Sequence, residues 1–338
     1  MARAIRRVIA WLLIAGIIAV AAAAGALYRF AHTPLQVAVP PAKGFELKAG
    51  SSLRTIARQL VAAEILPEPW RFEVIARTRG DGANIKAGSY EIAAPITPLD
   101  LLDKLIRGDV VQEQVTFVEG WTFRQWREAL AAHPNLRHDS ATLSDMELIE
   151  RVGATGHESA EGLFFPDTYR FNRGASDLDV LRQASETMQR KLDTLWNARA
   201  PDLPFQSPYE ALILASIVEK ETGLQADRPM VAAVFVNRLR RGMKLQTDPT
   251  VIYGMGMTFD GNLKKTDLLR DTPYNTYTRE GLPPTPIAMP GLASLSATLN
   301  PPPSDALYFV ARGDGTSHFS ATLEEHNRAV NRYQRARR

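Results

Sequence analysis

The pattern of apolar and polar positions begins with one continuous apolar segment. Residues 8–28, VIAWLLIAGIIAVAAAAGALY, hold no charge and are long enough to cross the hydrocarbon core of a bilayer as a helix. Arg3, Arg6 and Arg7 precede this segment and Arg29 follows it. Because the more positive flank stays in the cytoplasm, we expect residues 1–7 to be cytoplasmic and the body of the protein to lie on the periplasmic or outer side.

A cleaved signal peptide is the alternative interpretation of the same segment. The stretch from Ala21 to Ala26 offers small-residue cleavage sites. The apolar run is longer than a usual signal-peptide core, which favours an uncleaved, single-pass anchor in the cell (inner) membrane. Both interpretations place the rest of the chain outside the cytoplasm.

A short linker and a small α+β domain are predicted next. Residues 29–43 contain three prolines and are expected to be an extended linker. Residues 44–109 show two strand-like and two helix-like patterns in the order strand, helix, helix, strand, followed by a short helix at 98–107. This order resembles a LysM module, a fold associated with N-acetylglucosamine polymers.

Residues 110–338 are predicted to form a second, mostly helical domain with short strands. An alternating segment at 110–119 indicates a strand, and 307–310 indicates another near the end of the chain. Helical periodicity is found at 122–133, 144–152, 178–198 and 323–335, among other segments. The predicted fold class is therefore α+β, with an N-terminal transmembrane helix, a LysM-like domain and a mostly helical domain.

One predicted helix within the second domain is nearly devoid of a polar face. Ser207, Pro208 and Glu210 are suited to the N-cap, N1 and N3 positions of a capping box, and Gly223 is suited to end the helix. Residues 211–218 are almost wholly apolar. We therefore expect this helix to run through the core of its domain.

The same helix ends on two glutamates. On a helical wheel Glu221 shares the stripe of Leu214 and Ile217, whereas Glu219 lies on the side of Ala215. A carboxyl group among aliphatic side chains, at the negative end of a helix dipole, resists ionisation and can donate a proton near neutral pH. The alternative is that either glutamate is an ordinary solvated residue at a helix end.

Composition excludes several kinds of chemistry. The chain of 338 residues has no cysteine, which excludes disulfides, a thiolate nucleophile and a cysteine-based metal site. Its six histidines are scattered and no His-Glu-x-x-His motif occurs, so we predict no metal site and no cofactor. The formal net charge of +3 is small, and much of it lies in residues 1–7 and 332–338, which gives no indication of a nucleic-acid partner.

A serine nucleophile is the remaining alternative. Neither a Gly-x-Ser-x-Gly elbow nor a Gly-rich phosphate loop is present. Ser216 and Lys220 lie four residues apart on the apolar helix, so a Ser-Lys acyl hydrolase is one hypothesis. The competing interpretation is a small polar residue at a helix interface and a lysine that reaches solvent.

Several blocks of residues resemble a known family. The blocks are IVEKET at 217–222, NRL at 237–239, LQTDPTVIYG at 245–254, YNTY at 274–277 and EGLFFPDT at 161–168. They resemble the signature blocks of the MltG or YceG-like endolytic murein transglycosylases, and so does the order of anchor, LysM-like domain and catalytic domain. The resemblance covers nearly the whole chain.

This resemblance implies an activity and a site. The activity is a lyase reaction that cleaves the β-1,4 bond between N-acetylmuramic acid and N-acetylglucosamine in nascent peptidoglycan strands, forms 1,6-anhydro-muramyl ends and limits strand elongation. By position, the second glutamate of IVEKET, Glu221, is the catalytic acid and base. The candidate sugar-binding residues are Gln246, Asp248, Tyr274, Asn275 and Tyr277. Asp248 is alternatively only a helix cap.

The expected partners follow from the same resemblance. They are peptidoglycan glycan strands, the membrane through the N-terminal helix, and peptidoglycan synthases. The alternative function is a non-catalytic, peptidoglycan-binding scaffold of the cell-wall synthesis machinery.

Overall fold

The computed structural model describes residues 2–35, 45–48, 50–221 and 224–335. The chain divides into two compact units, Met1–Glu113 and Gln114–Arg338. The boundary expected from sequence, between residues 109 and 110, lies close to this division. The α+β class with one N-terminal apolar helix and short strands is confirmed.

The first unit begins with helix α1, Ala2–His32, of which Arg6–His32 is long and apolar enough to span a membrane. The helix extends beyond the predicted span, so the expectation that the linker starts at residue 29 is wrong. Nothing in 29–32 interrupts a helix, whereas Pro34 disfavours helical geometry at the preceding residue. Residues 36–43 of the predicted linker lie outside the described residues.

The rest of the first unit has the predicted order of strand, helix, helix, strand, followed by a helix. These elements are β1 Phe45–Leu47, α2 Leu53–Ala62, α3 Pro69–Thr78, β2 Gly88–Tyr90 and α4 Pro98–Arg107. β1 and β2 are antiparallel, with Phe45 opposite Tyr90. The core includes Leu60 and Phe72, which are fully buried, together with Tyr90. Helix α2 starts at Ser52, whose hydroxyl accepts a hydrogen bond from the backbone of Thr55.

The second unit is mostly helical, with two small two-stranded sheets. Its elements are β3 Gln112–Thr116, which begins in the first unit, α5 Phe123–Ala132, α6 Asp145–Val152, β4 Thr168–Asn172, α7 Asp177–Asn197, α8 Pro208–Glu221, α9 Arg228–Arg240, α10 Asp248–Met255, the 3₁₀ turn Gly256–Thr258, α11 Lys265–Leu269, α12 Leu292–Leu299, β5 Tyr308–Ala311, β6 Ser317–Ser320, α13 Leu323–Val330 and the π-helical turn Asn331–Arg335. β3 pairs with β4, and β5 pairs with β6 in an antiparallel ladder.

Helix α8 is the central helix of this unit, as its apolar composition predicts. All residues from 211 to 218 are buried, and the helix packs against α9 and α12. At its start the Ser207 hydroxyl accepts a hydrogen bond from the backbone of Glu210 (3.3 Å). The Glu210 carboxylate binds the backbone N–H of Gln206 (2.7 Å) instead of Ser207, so only half of the predicted capping box forms. Gly223 lies outside the described residues.

Ser216 is a packing residue of α8. It is fully buried, and its hydroxyl donates to the carbonyl of Ile213 (2.7 Å) and accepts from the backbone N–H of Ile287 (2.9 Å). Lys220 donates instead to the carbonyl of Gly120 (3.2 Å). The hypothesis of a Ser-Lys nucleophile is therefore wrong, because the hydroxyl joins α8 to a neighbouring loop and has no access to substrate.

Position 162 requires glycine for two reasons, its left-handed backbone conformation and the close approach of a neighbouring side chain. Its φ is +82°, and a Cβ atom there would lie 2.5 Å from the rigid ring of Pro286. Replacing Gly162 with Ala should lower the free energy of unfolding by about 2–5 kcal/mol, the sum of a left-handed backbone and an overpacked contact. Chemical denaturation of the full-length chain in detergent measures this loss.

Gly153 provides the matched control for that substitution. It has the same φ of +82°, but a Cβ atom would meet nothing within 4 Å. Gly153→Ala should therefore cost only about 1–2 kcal/mol, the backbone part alone. Equal losses in the two variants would show that the contact with Pro286 does not contribute.

Candidate active site

Glu221 is the last residue of α8, where the buried helix reaches the surface of the second unit. One carboxylate oxygen accepts a hydrogen bond from the Thr247 hydroxyl (2.9 Å). Burial raises the pKa of Glu221, and the charge of Asp248 raises it further, whereas the Thr247 hydrogen bond and Arg238 oppose the rise. Glu221 therefore holds its proton more firmly than a free glutamate does.

Arg238 of α9 holds the segment that carries Thr247. Its side chain is buried and donates to the carbonyls of Leu307 (2.7 Å) and Leu245 (2.9 Å), and it lies 3.5 Å from the side-chain oxygen of Gln246. Gln246 itself has a left-handed backbone, with φ of +49°. No role for Arg238 was predicted from the sequence. The only signal for it was its place in the NRL block.

A buried threonine network fixes Thr247 from the other side. The Thr247 backbone N–H donates to the Thr276 hydroxyl (3.1 Å). Thr250 donates to the Thr247 carbonyl (2.8 Å) and its hydroxyl also contacts that of Thr276 (2.9 Å). All three threonines are buried. The hydroxyl that binds Glu221 is therefore held by two chain segments.

Asp248 and Tyr277 form a polar pair next to this segment. The Tyr277 hydroxyl donates to the Asp248 carboxylate (2.6 Å). Burial and the neighbouring Asp248 carboxylate raise the pKa of Tyr277. Helix α10 starts at Asp248 with Thr247 as its N-cap residue, so the predicted cap at Asp248 is wrong by one residue. The Asp248 side chain is exposed and bound to Tyr277 instead of capping the helix.

Asn275 and Tyr274 have different places in the same loop. Asn275 is fully buried; its amide donates to the carbonyl of Arg270 (2.7 Å), and its side-chain oxygen accepts from the backbone of Tyr277 (2.8 Å). Tyr274 is half-buried, and its hydroxyl lies 2.8 Å from that of Thr285. In this structure Asn275 stabilises the loop and offers no surface to a ligand. Gln246, Asp248 and Tyr277 are the residues brought beside Thr247.

Glu219 occupies the other side of α8. Its carboxylate forms an ion pair with Arg228 of α9 (3.3 Å) and accepts the backbone N–H of Gly291 (2.9 Å), with only 6% of the side chain exposed. Nearby, burial raises the pKa of Glu119, and the charge of Glu219 adds to that rise. Glu219 therefore joins α8 to α9 and to the start of α12.

Glu161, from the EGLFFPDT block, is a second carboxyl group whose protonation is strongly perturbed. It is 4% exposed; one oxygen accepts from the backbone of Phe123 (3.0 Å) and the other from the Tyr253 hydroxyl (3.1 Å). Burial raises the pKa of Glu161 to about 7. Glu161 was not among the site residues predicted from the sequence. The two phenylalanines that follow it, Phe164 and Phe165, are buried in the core.

The hydrogen bond from Thr247 provides a test of the electrostatics at Glu221. Thr247→Val removes a donor that stabilises the carboxylate, so the pKa of Glu221 should rise further. The resemblance implies that Glu221 is a general acid, which works only while protonated, so the alkaline limb of kcat/KM should move to higher pH. A pH profile of glycan cleavage measures this shift.

Thr250→Val serves as the control for that variant. Thr250 belongs to the same buried network but has no hydrogen bond to Glu221. Loss of the Thr250 hydroxyl should lower the free energy of unfolding by about 1 kcal/mol. The alkaline limb of kcat/KM should stay at its wild-type pH. An alkaline limb that stays at its wild-type position in Thr247→Val would contradict the assigned electrostatics.

A family model described as the YceG-like family matches residues 45–332, well over half of the chain. The chain belongs to the YceG-like family. It is 32% identical over 304 residues to a protein of Bacillus subtilis (strain 168) named endolytic murein transglycosylase, a match that covers 85% of this chain and 83% of that protein. It is 28% identical over 314 residues to a protein of the same name from Streptococcus pneumoniae serotype 2 (strain D39 / NCTC 7466), covering 83% of this chain and 56% of that protein.

A solved structure is similar to this member of the YceG-like family. The crystal structure of a yceG-like protein from Listeria monocytogenes matches with a TM-score of 0.54 and 32% sequence identity, covering 84% of this chain and 97% of that chain. The predicted family and the predicted enzyme class, a lyase, are confirmed. Among the described residues no three histidine, aspartate or glutamate side chains are grouped as metal ligands would be.

Proposed function

We propose that the chain is an endolytic murein transglycosylase in which Glu221 is the general acid and then the general base. The observation that carries this proposal is the environment of Glu221. Its carboxyl group lies at the last residue of a buried helix, burial raises its pKa, and it accepts a hydrogen bond from Thr247. The relatives named endolytic murein transglycosylase support the reaction class.

The reaction needs only one carboxyl group. Protonated Glu221 donates its proton to the glycosidic oxygen between N-acetylmuramic acid and N-acetylglucosamine, and the bond from C1 of muramic acid to that oxygen breaks. The C6 hydroxyl of the same muramic acid forms a new bond to C1 and returns its proton to the Glu221 carboxylate. Ordinary glycosidases use a second carboxylate to attack or to activate water. Here the substrate supplies the attacking oxygen, so no water is consumed.

The surroundings of Glu221 suit both halves of this cycle. Burial favours the protonated form that begins the reaction. The Thr247 hydroxyl stabilises the carboxylate that exists after proton donation. We assign Gln246, Asp248 and Tyr277 as sugar contacts, because they lie next to Thr247 and carry polar groups at or near the surface. Tyr274 is a further candidate, and Asn275 shapes the loop.

The proposed placement in the cell follows from α1. As a single-pass anchor with residues 1–7 in the cytoplasm, it would hold the rest of the first unit and the whole second unit on the extracytoplasmic side. The strand, helix, helix, strand unit that follows α1 would then contact glycan strands as a LysM-like domain. Cleavage beside the membrane would limit the length of strands during their synthesis.

Mass spectrometry of the products tests this function. The full-length chain in detergent is incubated with uncrosslinked peptidoglycan strands, and the new chain ends are identified. We expect 1,6-anhydro-muramyl ends, which contain one water less than reducing ends. Reducing ends would instead indicate a hydrolase, and binding without shortening of the strands would indicate the scaffold.

A further inference from the structure

A cavity of about 770 Å³ in the second unit is lined by residues close in sequence to Glu221 and to the Thr247 that binds it. On α8 it is lined by Lys220, the residue directly before Glu221. On α10 it is lined by Pro249, two residues after the Thr247 that binds Glu221. Because consecutive Cα atoms are about 3.8 Å apart, the backbone at Lys220 lies next to that of Glu221, and the backbone at Pro249 lies within about 8 Å of that of Thr247.

Two cationic side chains line this cavity without a close anionic partner. The Lys220 ammonium donates to the carbonyl of Gly120 (3.2 Å), and among the described residues it has no carboxylate within 4.0 Å. The Arg124 guanidinium contacts the sulfur of Met257, and its carboxylate neighbour, Glu128, is 4.0 Å away on the exposed face of α5. Exposed ion pairs at such a distance contribute little to the free energy of folding. Both positive charges are therefore available to a ligand.

Glu161 is the one acidic side chain among the described residues that line the cavity. Both of its oxygens already accept hydrogen bonds, from Phe123 and Tyr253. Because burial raises its pKa to about 7, it is partly protonated at neutral pH and does not fully cancel the two cations. The cavity therefore attracts anions.

Much of the remaining wall of the cavity is apolar, beside the polar side chains of Thr122 and Tyr253. Ile252, Phe259 and Ile287 contribute aliphatic and aromatic surface. A free inorganic anion would gain nothing from such a wall, whereas a peptide with both acidic and aliphatic side chains would gain from both parts.

The chemistry of the proposed substrate gives such a peptide a defined position. The bond to be broken is at C1 of N-acetylmuramic acid, and the lactyl group at C3 of the same ring carries an acidic peptide. The attachment point of that peptide is therefore only two ring bonds from the carbon at which the acid acts. We propose that the cavity lined by Lys220, Arg124 and Glu161 binds the acidic peptide substituent of the muramic acid whose bond is cleaved. This proposal rests on the proposed function.

The test compares two substrates with the full-length chain in detergent. One is uncrosslinked glycan with its peptides, and the other is the same glycan after an amidase has removed the peptides and left the lactyl carboxylate. The measured quantity is the selectivity ratio, kcat/KM on peptide-bearing strands divided by kcat/KM on peptide-free strands. We expect a ratio well above one that falls as salt screens the charges.

Variants of the two cations make the test specific. Arg124→Gln and Lys220→Gln should each lower the selectivity ratio by about threefold to fivefold, as loss of one partly exposed charge pair predicts. Arg124→Lys and Lys220→Arg should retain most of it. Arg328→Gln removes an exposed charge on α13, away from the residues that line the cavity, and should leave the ratio unchanged.

Three outcomes would overturn the proposal. They are a wild-type ratio of one, a ratio unaffected in both glutamine variants, and a preference for peptide-free strands that depends on Arg124. The last would assign the cavity to the lactyl carboxylate itself.

If the chain has no transglycosylase activity, the peptide-binding role of the cavity is tested separately, by binding. If the wild-type chain cleaves neither substrate, binding of a soluble muramyl peptide to the full-length Glu221→Gln variant is measured by calorimetry. Weaker binding after adding Arg124→Gln would support the cavity as the peptide site, and unchanged binding would overturn it.

Discussion

Glu221→Gln should lower the release of anhydro-muropeptides by about 10²–10⁴-fold, the usual contribution of a general acid and base. Glutamine has nearly the same shape and can still accept the hydrogen bond from Thr247, but it has no proton to donate at working pH. The measurement is product release from purified glycan strands by the full-length chain. Retained turnover would remove Glu221 from its proposed role.

The stability of the same variant has a defined dependence on pH. Because burial raises the pKa of Glu221, the folded protein binds this proton more tightly than the unfolded chain does. The wild-type protein therefore loses stability as pH rises from the ordinary glutamate pKa through the raised one. Glu221→Gln should lack this loss, so inactivity cannot be attributed to unfolding if its denaturation midpoint stays at or above that of the wild type.

Glu219→Gln is the matched comparison two residues away. It weakens a buried ion pair with Arg228, so we expect a lower denaturation midpoint and residual activity in the molecules that remain folded. If Glu219→Gln were less active than Glu221→Gln at equal folded fraction, the roles of the two glutamates would be reversed.

Arg238→Met should be the most destabilising substitution near the site. It removes charged donors from the buried carbonyls of Leu245 and Leu307, each of which contributes about 1.5–3 kcal/mol. The expected loss in the free energy of unfolding is therefore about 3–6 kcal/mol. Because Leu245 precedes Thr247 by two residues, glycan cleavage by the folded fraction should also fall.

Arg240→Met on the same helix is the control. Arg240 is exposed and donates only to the carbonyl of Asp202 (2.9 and 3.2 Å). Its replacement should cost about 1 kcal/mol or less. A denaturation midpoint for Arg238→Met equal to that of Arg240→Met would show that the buried arginine does not hold the 245–247 segment.

Local sequence signals predicted most of the helices in the second unit. Helix α5 starts at Thr122 and α6 at Ser144, each with a capping box, and both lie within one residue of the expected ends. Helix α8 was predicted as a buried rod because a helix without a polar face has to be covered on all sides. These features depend on residues close together in the chain, so they can be inferred without knowing the fold.

The strands were less predictable. The second strand-like pattern of residues 44–109 forms a strand of only three residues, Gly88–Tyr90, and the alternating segment at 110–119 is a strand only at Gln112–Thr116. No strand was predicted at Thr168–Asn172, where β4 lies. A strand exists only where a partner strand supplies hydrogen bonds, and β4 exists because β3 lies beside it.

The candidate active site, like the fold, could be predicted from the sequence only in part. The sequence by itself determined an apolar run long enough to span a membrane, an α+β fold, the buried helix and the position of Glu221 at its end, and it identified the family. Only the tertiary structure decided which groups surround Glu221. The fold places the Thr247 hydroxyl at the Glu221 carboxylate and Arg238 at the carbonyl of Leu245, two residues before Thr247. It also buries Asn275. Around one cavity it places three charged residues: Glu161, Lys220 and Arg124.

The physical reason is the range of the interactions. Helix periodicity and caps act over three or four residues, so a sequence pattern records them. A pKa depends on burial and on charges brought in from distant segments, such as Thr247 and Asp248 at Glu221. Those neighbours are defined only once α8, α9 and α10 have packed together.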